Sequence, residues 1–208
     1  MSKIIKQTSL ADKVYDVLKT QILSGELKGG MIIPEEQLAT QYGVSRTPIR
    51  EAIRRLSEYG LVILKPRSHA MVYKVDDKEA EDIAVVRVAL EKLAIQMITP
   101  DSLEKHIEEL SRLAADCQYH LTLGDRAQLF VKDSLFHLEL VKCAENDALF
   151  DLYERLDSRV QLLRIAQDLS DNELSDIISQ HPSLLQYLKK NDQDAALKLI
   201  EHHVAHNM

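Results

Sequence analysis

Asp133 and His137 stand four residues apart in a stretch of helical period, a spacing that turns both side chains to one face, close enough to share an ion. The apolar residues of that stripe are Leu129, Phe136 and Leu140, so the pair points toward a core. Three other stretches break their apolar stripes in the same way. His181 keeps company with Leu184, Leu185 and Leu188, His203 follows Ala196, Leu199 and Ile200, and Arg87 lies among Ile83, Leu90 and Ala94. Any of these groups buried alone would cost several kcal/mol. One aspartate and three imidazoles form an N₃O donor set for a divalent ion such as Zn²⁺, Ni²⁺ or Mn²⁺, with positions left for water or a ligand carboxylate. Arg87 admits two readings, an ion pair with Glu91 or a clamp on a bound carboxylate. His202 and His206 lie off the stripe's centre, His106 and His120 show no partner pattern, and all four read as surface.

A second constellation suits a different chemistry. Ile49, Ala52, Ile53 and Leu56 form an apolar arc on a helix expected from about 46 to 59. Arg46, Arg50 and Arg54 line a neighbouring face, flanked by Thr47 and Ser57, while Arg55 sits apart, four residues from Glu51, as a surface pair. Arginines stacked on an exposed face can pair bidentately with guanine in a major groove or clamp phosphates.

The elements that carry these residues divide the chain in two. Ser9 caps a first helix whose stripe is Leu10, Val14, Val17, Leu18 and Ile22, and Gly25 ends it. A short helix runs from about Pro34 to Tyr42, and only Gly43 and Val44 separate it from the next cap, Ser45. Two helices across so tight a turn are what a helix-turn-helix requires. Residues 61–64 and 70–74 then form a β-hairpin around the basic tip Lys65-Pro-Arg-Ser-His69. Beyond residue 75 the period is helical throughout, with helices at about 79–98, 102–123, 126–143, 147–168, 171–179 and 182–206, the last interrupted at Asn191 and Asp192. The fold class is therefore mainly α. Residues 1–74 form a winged helix-turn-helix DNA-binding domain, and 75–208 an all-helical ligand-binding and dimerisation domain.

Charge follows the same boundary. Residues 1–75 hold 12 Lys and Arg against 7 Asp and Glu, and residues 76–208 hold 14 against 26, although the whole chain carries −7. A basic head on an acidic body fits a protein that meets phosphates with one end only. Cys117 and Cys143 match no zinc-finger spacing and point to a reducing compartment. No stretch approaches the ~20 apolar residues of a membrane span, and the first ten residues lack a signal-peptide core, so a cytoplasmic protein is expected.

Gly25-Glu-Leu27, Gln37-Leu-Ala39, Gly43-Val-Ser-Arg-Thr-Pro-Ile-Arg-Glu-Ala-Ile53, Leu56, Gly60-Leu-Val62 and Pro66-Arg67 resemble the DNA-binding domain of the GntR family over residues 10–73. By that resemblance Arg46, Thr47 and Arg50 contact DNA, supported by Arg54 and by Arg67 and His69 of the wing. Two departures stand out: Gly29-Gly30 replaces the usual Pro-Gly, and His69 occupies the wing's glycine position. Arg87-Val-Ala-Leu-Glu91, Asp133-Ser-Leu-Phe-His137, Asn146, His181 and Asp194, Ala196 and His203 resemble the FCD class of effector domains of the FadR subfamily, with about six helices as in its VanR-like members. This implies that Asp133, His137, His181 and His203 ligate one metal ion and that a small organic acid reaches the metal and Arg87. Gln180 stands where that class often has an acidic residue.

The expected protein is a transcriptional repressor, a homodimer on a pseudo-palindromic operator, since one winged domain reads only a short half-site. A metal-dependent enzyme would need a general base beside the metal, and no Glu or second Asp is evident on the inward stripes. A pure metal sensor is the other alternative.

Overall fold

The computed structural model describes residues 9–65, 69–167 and 169–205, and the chain divides into two compact units between Lys74 and Val75. In the first unit α1 (Leu10–Leu23), α2 (Glu35–Tyr42) and α3 (Arg46–Glu58) precede β1 (Val62–Leu64) and β2 (Ala70–Val72). Ser9 and Asp12 form a reciprocal cap on α1: Asp12 N donates to the Ser9 hydroxyl at 3.1 Å, and Ser9 N donates to the Asp12 carboxylate at 2.9 Å. Helix α1 buries Ala11, Val14, Tyr15, Leu18 and Ile22, and packs on α3, which buries Pro48, Ile49, Ala52, Ile53 and Leu56. Leu10 and Val17, expected in the stripe of α1, are 50% and 44% exposed, because the buried arc passes through Ala11 and Tyr15.

Gly43 ends α2 with φ +65°, and the Val44 N–H then donates to the Ala39 carbonyl at 3.0 Å. This left-handed step lets α3 start two residues later. In the hairpin Val62 faces Val72 and Leu64 faces Ala70, antiparallel, and Lys65 N donates to the His69 carbonyl at 3.0 Å to close the turn. His69, at the position where the resemblance has a glycine, is not among the positive-φ residues. The Gly29-Gly30 turn holds. Gly30 takes φ +85° and its N–H donates to the Val72 carbonyl at 2.9 Å, while Ile32 bridges to Met71.

The second unit is helical: α4 (Asp77–Met97), α5 (Pro100–Thr122), α6 (Arg126–Lys142), α7 (Asp147–Ala166), α8 (Asp171–Ile178), α9 (Gln180–Lys189) and α10 (Gln193–Ala205). Side chains of Asp76, Thr99, Asp125, Asn146 and Ser170 cap α4 to α8 in turn. The interruption expected at Asn191 and Asp192 is there: Asn191 adopts φ +55° between α9 and α10, so the unit has seven helices among the described residues. Its main core gathers Ile95 of α4, Leu110 and Leu113 of α5, Phe136 and Leu140 of α6, Leu184 and Leu188 of α9, and Ile200 and Val204 of α10. Helix α6 touches α4, α5 and α7, and α10 touches α4 and α9, so residues on the inner faces of α4, α6, α7, α9 and α10 can meet. No helix among the described residues is long and apolar enough to cross a membrane.

Candidate functional site

Two sites were read from the sequence, and each lies within one unit. On α3, Arg46, Thr47, Arg50 and Arg54 are all exposed. The arginines are not bare. Arg46 forms an ion pair with Glu36, Arg50 Nε donates to Glu35 at 2.9 Å, and Arg54 lies 3.5 Å from Glu58. Glu35 and Glu36 sit in the first turn of α2, where the helix dipole favours acidic groups. Surface pairs of this kind are worth roughly 0–1 kcal/mol, so a phosphate or a guanine edge can displace them. Arg55 does not pair with Glu51. It reaches across to α1, where Nη1 donates to Asp12 at 2.5 Å and the guanidinium lies 4.3 Å from the centre of the Tyr15 ring. The reason is burial: α1 covers that side of α3 and offers both a carboxylate and an aromatic face. His69 is half-buried at the base of the wing turn, and Arg67 lies outside the described residues.

The second site is wholly buried. Asp133 and His137 of α6, His181 of α9 and His203 of α10 are 2%, 0%, 1% and 2% exposed. One ligand atom from each lies within 4.8 Å of the others. His137 Nε2 is 3.0 Å from His203 Nε2, His181 Nε2 is 3.1 Å from Asp133 Oδ1, and His137 Nε2 is 3.8 Å from that oxygen. Ligands bound to one ion at ~2.1 Å lie at such separations. Phe136 stacks on the His181 ring with centres 4.0 Å apart, which fixes its plane.

The outer contacts set the proton positions. His137 Nδ1 lies 2.8 Å from Glu91 Oε2, and Glu91 Oε1 accepts from Arg87 Nε at 2.7 Å and from the Tyr153 hydroxyl at 2.6 Å. Burial would raise the Glu91 pKa, but His137 and Arg87 together outweigh it and hold it well below the usual range. An ionised carboxylate only accepts, so His137 Nδ1–H donates and its Nε2 lone pair faces the cluster. Burial lowers the pKa of His137, and burial with its imidazole neighbours lowers that of His203 further. Neutral imidazoles are what a metal requires. Burial would likewise raise the Asp133 pKa, and Arg164 with His137 and His181 overcomes it. Nδ1 of His181 and of His203 has no hydrogen-bond partner among the described residues. The donor set and its spacing fit a divalent ion. Cys117, whose thiol burial pushes up, is not among the residues whose ligand atoms converge.

Of the two readings of Arg87, the ion pair with Glu91 is present. Nε holds Glu91, while Nη1 and Nη2 are buried without a hydrogen-bond partner among the described residues. Four inward residues of α7 escaped the sequence reading: Tyr153, Asp157, Gln161 and Arg164, all buried. Their spacing of four, four and three marks one helix face, a signal that was present, but charged residues on an amphipathic helix look solvated. Arg164 forms an ion pair with Asp133. The expectation of no inward Glu or second Asp was also wrong, since Glu91 and Asp157 are 0% and 3% exposed. Glu91 rides with Arg87, its partner one turn away, and with both oxygens engaged it is no free base. His106 and His120 are half-buried and not simply surface: His106 Nδ1 is 2.6 Å from Glu139, and His120 Nδ1 is 3.8 Å from Asp125. His202 is exposed, and His206 lies outside the described residues.

Residues 10–72 match the bacterial regulatory proteins of the gntR family, and residues 82–206 match the FCD domain. The uncharacterized HTH-type transcriptional regulator YdhC of Bacillus subtilis (strain 168) is 28% identical over 206 residues, 99% of this chain and 92% of its own length. The probable D-xylose utilization operon transcriptional repressor of Paenarthrobacter nicotinovorans is 29% identical over 204 residues, 98% and 89% of the two chains. The solved structure of E. coli McbR/YncC superposes with a TM-score of 0.79 at 28% identity, covering 97% of this chain and 96% of that one.

The lowered imidazole pKa values make acid destabilising. An unfolded chain takes up protons at His137 and His203 near pH 6.5, and the folded chain refuses them until lower pH. Stability of chelator-treated protein is then full above about pH 6.5 and falls as the pH drops toward the folded-state values. Melting temperatures from pH 8 to pH 5 check this, and a midpoint that holds or rises over that range contradicts it.

Proposed function

The chain belongs to the gntR family of bacterial regulatory proteins and carries an FCD domain, and we propose that this transcriptional regulator is a repressor switched by a small organic acid at a buried metal site. In this reading residues 1–74 bind DNA, and residues 75–208 bind the effector and hold two copies together. Arg46, Thr47 and Arg50 read the operator from the major groove, and Arg54, Arg67 and His69 support them on the backbone. A homodimer on a pseudo-palindromic operator supplies the second half-site. The exposed Val86, Leu93 and Met97 on α4 offer apolar surface for that contact.

One observation carries the effector half: four donors from three helices converge, fully buried, beside two buried arginines. Asp133, His137, His181 and His203 would hold one divalent ion, which supplies a Lewis-acidic anchor for a carboxylate. Glu91 orients His137, and Arg87 and Tyr153 orient Glu91, so the arginine is coupled to a metal ligand through a single carboxylate. An acid bridging Arg87 and the cluster draws α4 toward α6, α9 and α10. Because α4 opens directly from the segment after Lys74, its shift changes the spacing of the two recognition helices in the dimer.

Family membership speaks for regulation and against the metal-dependent enzyme. A metal sensor without an acid effector is separated from the proposal by measuring operator affinity against metal alone and against acids at fixed metal.

For the DNA half, Arg46→Ala or Arg50→Ala is expected to weaken specific binding by about 1–3 kcal/mol and relax base preference locally. Footprints at wild-type affinity from both variants would refute the assignment. For the effector half, protein purified without chelator carries about one divalent ion per chain by elemental analysis. His137→Ala loses it and melts lower, while retaining non-specific DNA binding. No stoichiometric metal, together with no melting shift on adding Zn²⁺, Ni²⁺ or Mn²⁺, would remove the site.

A further inference from the structure

We infer that the helical unit holds a second ligand site, separate from the polar centre, that takes a small aliphatic amino acid as its zwitterion. The site is a cavity of about 330 Å³ walled by Ile95 and Ile98 at the end of α4, Leu103 and Ile107 of α5, and Leu188 of α9. It depends on none of the metal or acid assignments above. Cavity and polar centre share α4, α9 and α10 but no residue.

Two helix-to-helix turns build the cavity and hold it open. At Thr99 the chain leaves α4 and caps α5: Ser102 N donates to the Thr99 hydroxyl at 3.1 Å, and Thr99 N donates to Ser102 Oγ at 3.0 Å. Across from it Asn191 turns α9 into α10 with φ +55°, and the Asp192 carboxylate accepts from Ala195 N at 3.1 Å. Gln193 Nε2 then ties the two turns together, donating to the carbonyls of Ile95 at 3.2 Å and Gln96 at 3.3 Å in the last turn of α4. A wall fixed by its own hydrogen bonds spares a ligand the cost of ordering it. The volume lies at the small end of ligand pockets, which run from roughly 300 to 1,000 Å³, so a small metabolite suits it.

The lining sets the class. Its apolar walls are isoleucine and leucine, and no aromatic ring among the described residues lines it, so the body it takes is aliphatic. Glu104, next to Leu103, and Lys189, next to Leu188, bring one charge of each sign to the same cavity. Among the described residues neither forms an ion pair or hydrogen bond, with the other or with a third group. Lys105, beside Glu104, is taken by Glu145 at 2.6 Å. Elsewhere on the unit such surface charges do pair, as Lys92 does with Glu201 and Arg112 with Glu109 and Asp116. A monocarboxylate answers Lys189 but meets Glu104 as a like charge, and an amine does the reverse. A molecule carrying both an ammonium and a carboxylate on an aliphatic body answers both.

Titration calorimetry and melting shifts on full-length protein, as purified and after chelator treatment, test this. Leucine and isoleucine are compared with glycine, isocaproate and isoamylamine, which lack in turn the aliphatic body, the ammonium and the carboxylate. Leucine or isoleucine is expected to bind roughly fivefold or more tightly than all three, a factor within reach of one hydrogen bond between charged groups at an exposed rim. Chelator leaves that ranking unchanged. Glu104→Gln lowers the amino acid to the affinity of isocaproate, and Lys189→Met lowers it to that of isoamylamine. Both side chains are exposed, so neither change threatens the fold. Ile107→Trp fills the cavity and abolishes binding. Where chelation unfolds the protein, these three variants locate the ligand in metal-replete protein. No binding of either amino acid at millimolar concentration, an analogue that matches them, or wild-type affinity in all three variants overturns the inference. So does binding that chelator abolishes in folded protein, which puts the ligand at the polar centre. An Ile107→Trp dimer that sediments as monomer also overturns it, since the groove is then a contact between copies. Each of these outcomes leaves the regulator reading standing.

Discussion

Burying the Asp133 carboxylate in the middle of an apolar bundle is unfavourable by several kcal/mol unless positive charge lies against it. Arg164 supplies one such charge, and its own burial then has to be compensated in turn. The same problem recurs one helix away, where Arg87 and Glu91 are both fully buried and share their contacts with Tyr153 and His137. The two ion pairs meet at the imidazoles of His137 and His181, so five helices are tied to one polar centre. Such a centre is a poor way to stabilise a fold, since an apolar core of the same volume would do at least as well. Its retention makes sense where the centre binds something and responds to it.

The DNA-facing end follows the opposite rule. Its arginines stay in water, paired with Glu35, Glu36 and Glu58, where each pair contributes little and breaks easily. Arg55 is the exception that holds the scaffold. Its contacts with Asp12 and Tyr15 tie α3 to α1 on the side away from the exposed arginines.

Much of this was legible in the sequence because it rests on local rules. Ser9, Gly43 and Asn191 mark boundaries through capping and left-handed geometry, and the stripe of Phe136 and Leu140 betrays the inward Asp133 and His137. His181 and His203 were found in the same way. What escaped were pairings across elements. Nothing local says that Arg55 prefers Asp12 to Glu51, or that Arg46 and Arg50 reach back to α2, because those choices depend on which helix lies alongside. The polar row of α7 was missed for a related reason. Asp157, Gln161 and Arg164 look solvent-facing until Ser134 and Asp133 are placed opposite them.

The central claim is that Asp133 and three imidazoles act as one ligand set, with Glu91 fixing the orientation of His137. X-ray absorption at the metal edge of the purified full-length protein reads that set directly. The account requires a first shell of three imidazole nitrogens and light oxygen neighbours with no sulfur, and the loss of one imidazole in His203→Ala. A shell containing Cys117 sulfur, or one with no imidazole scattering at all, would contradict it.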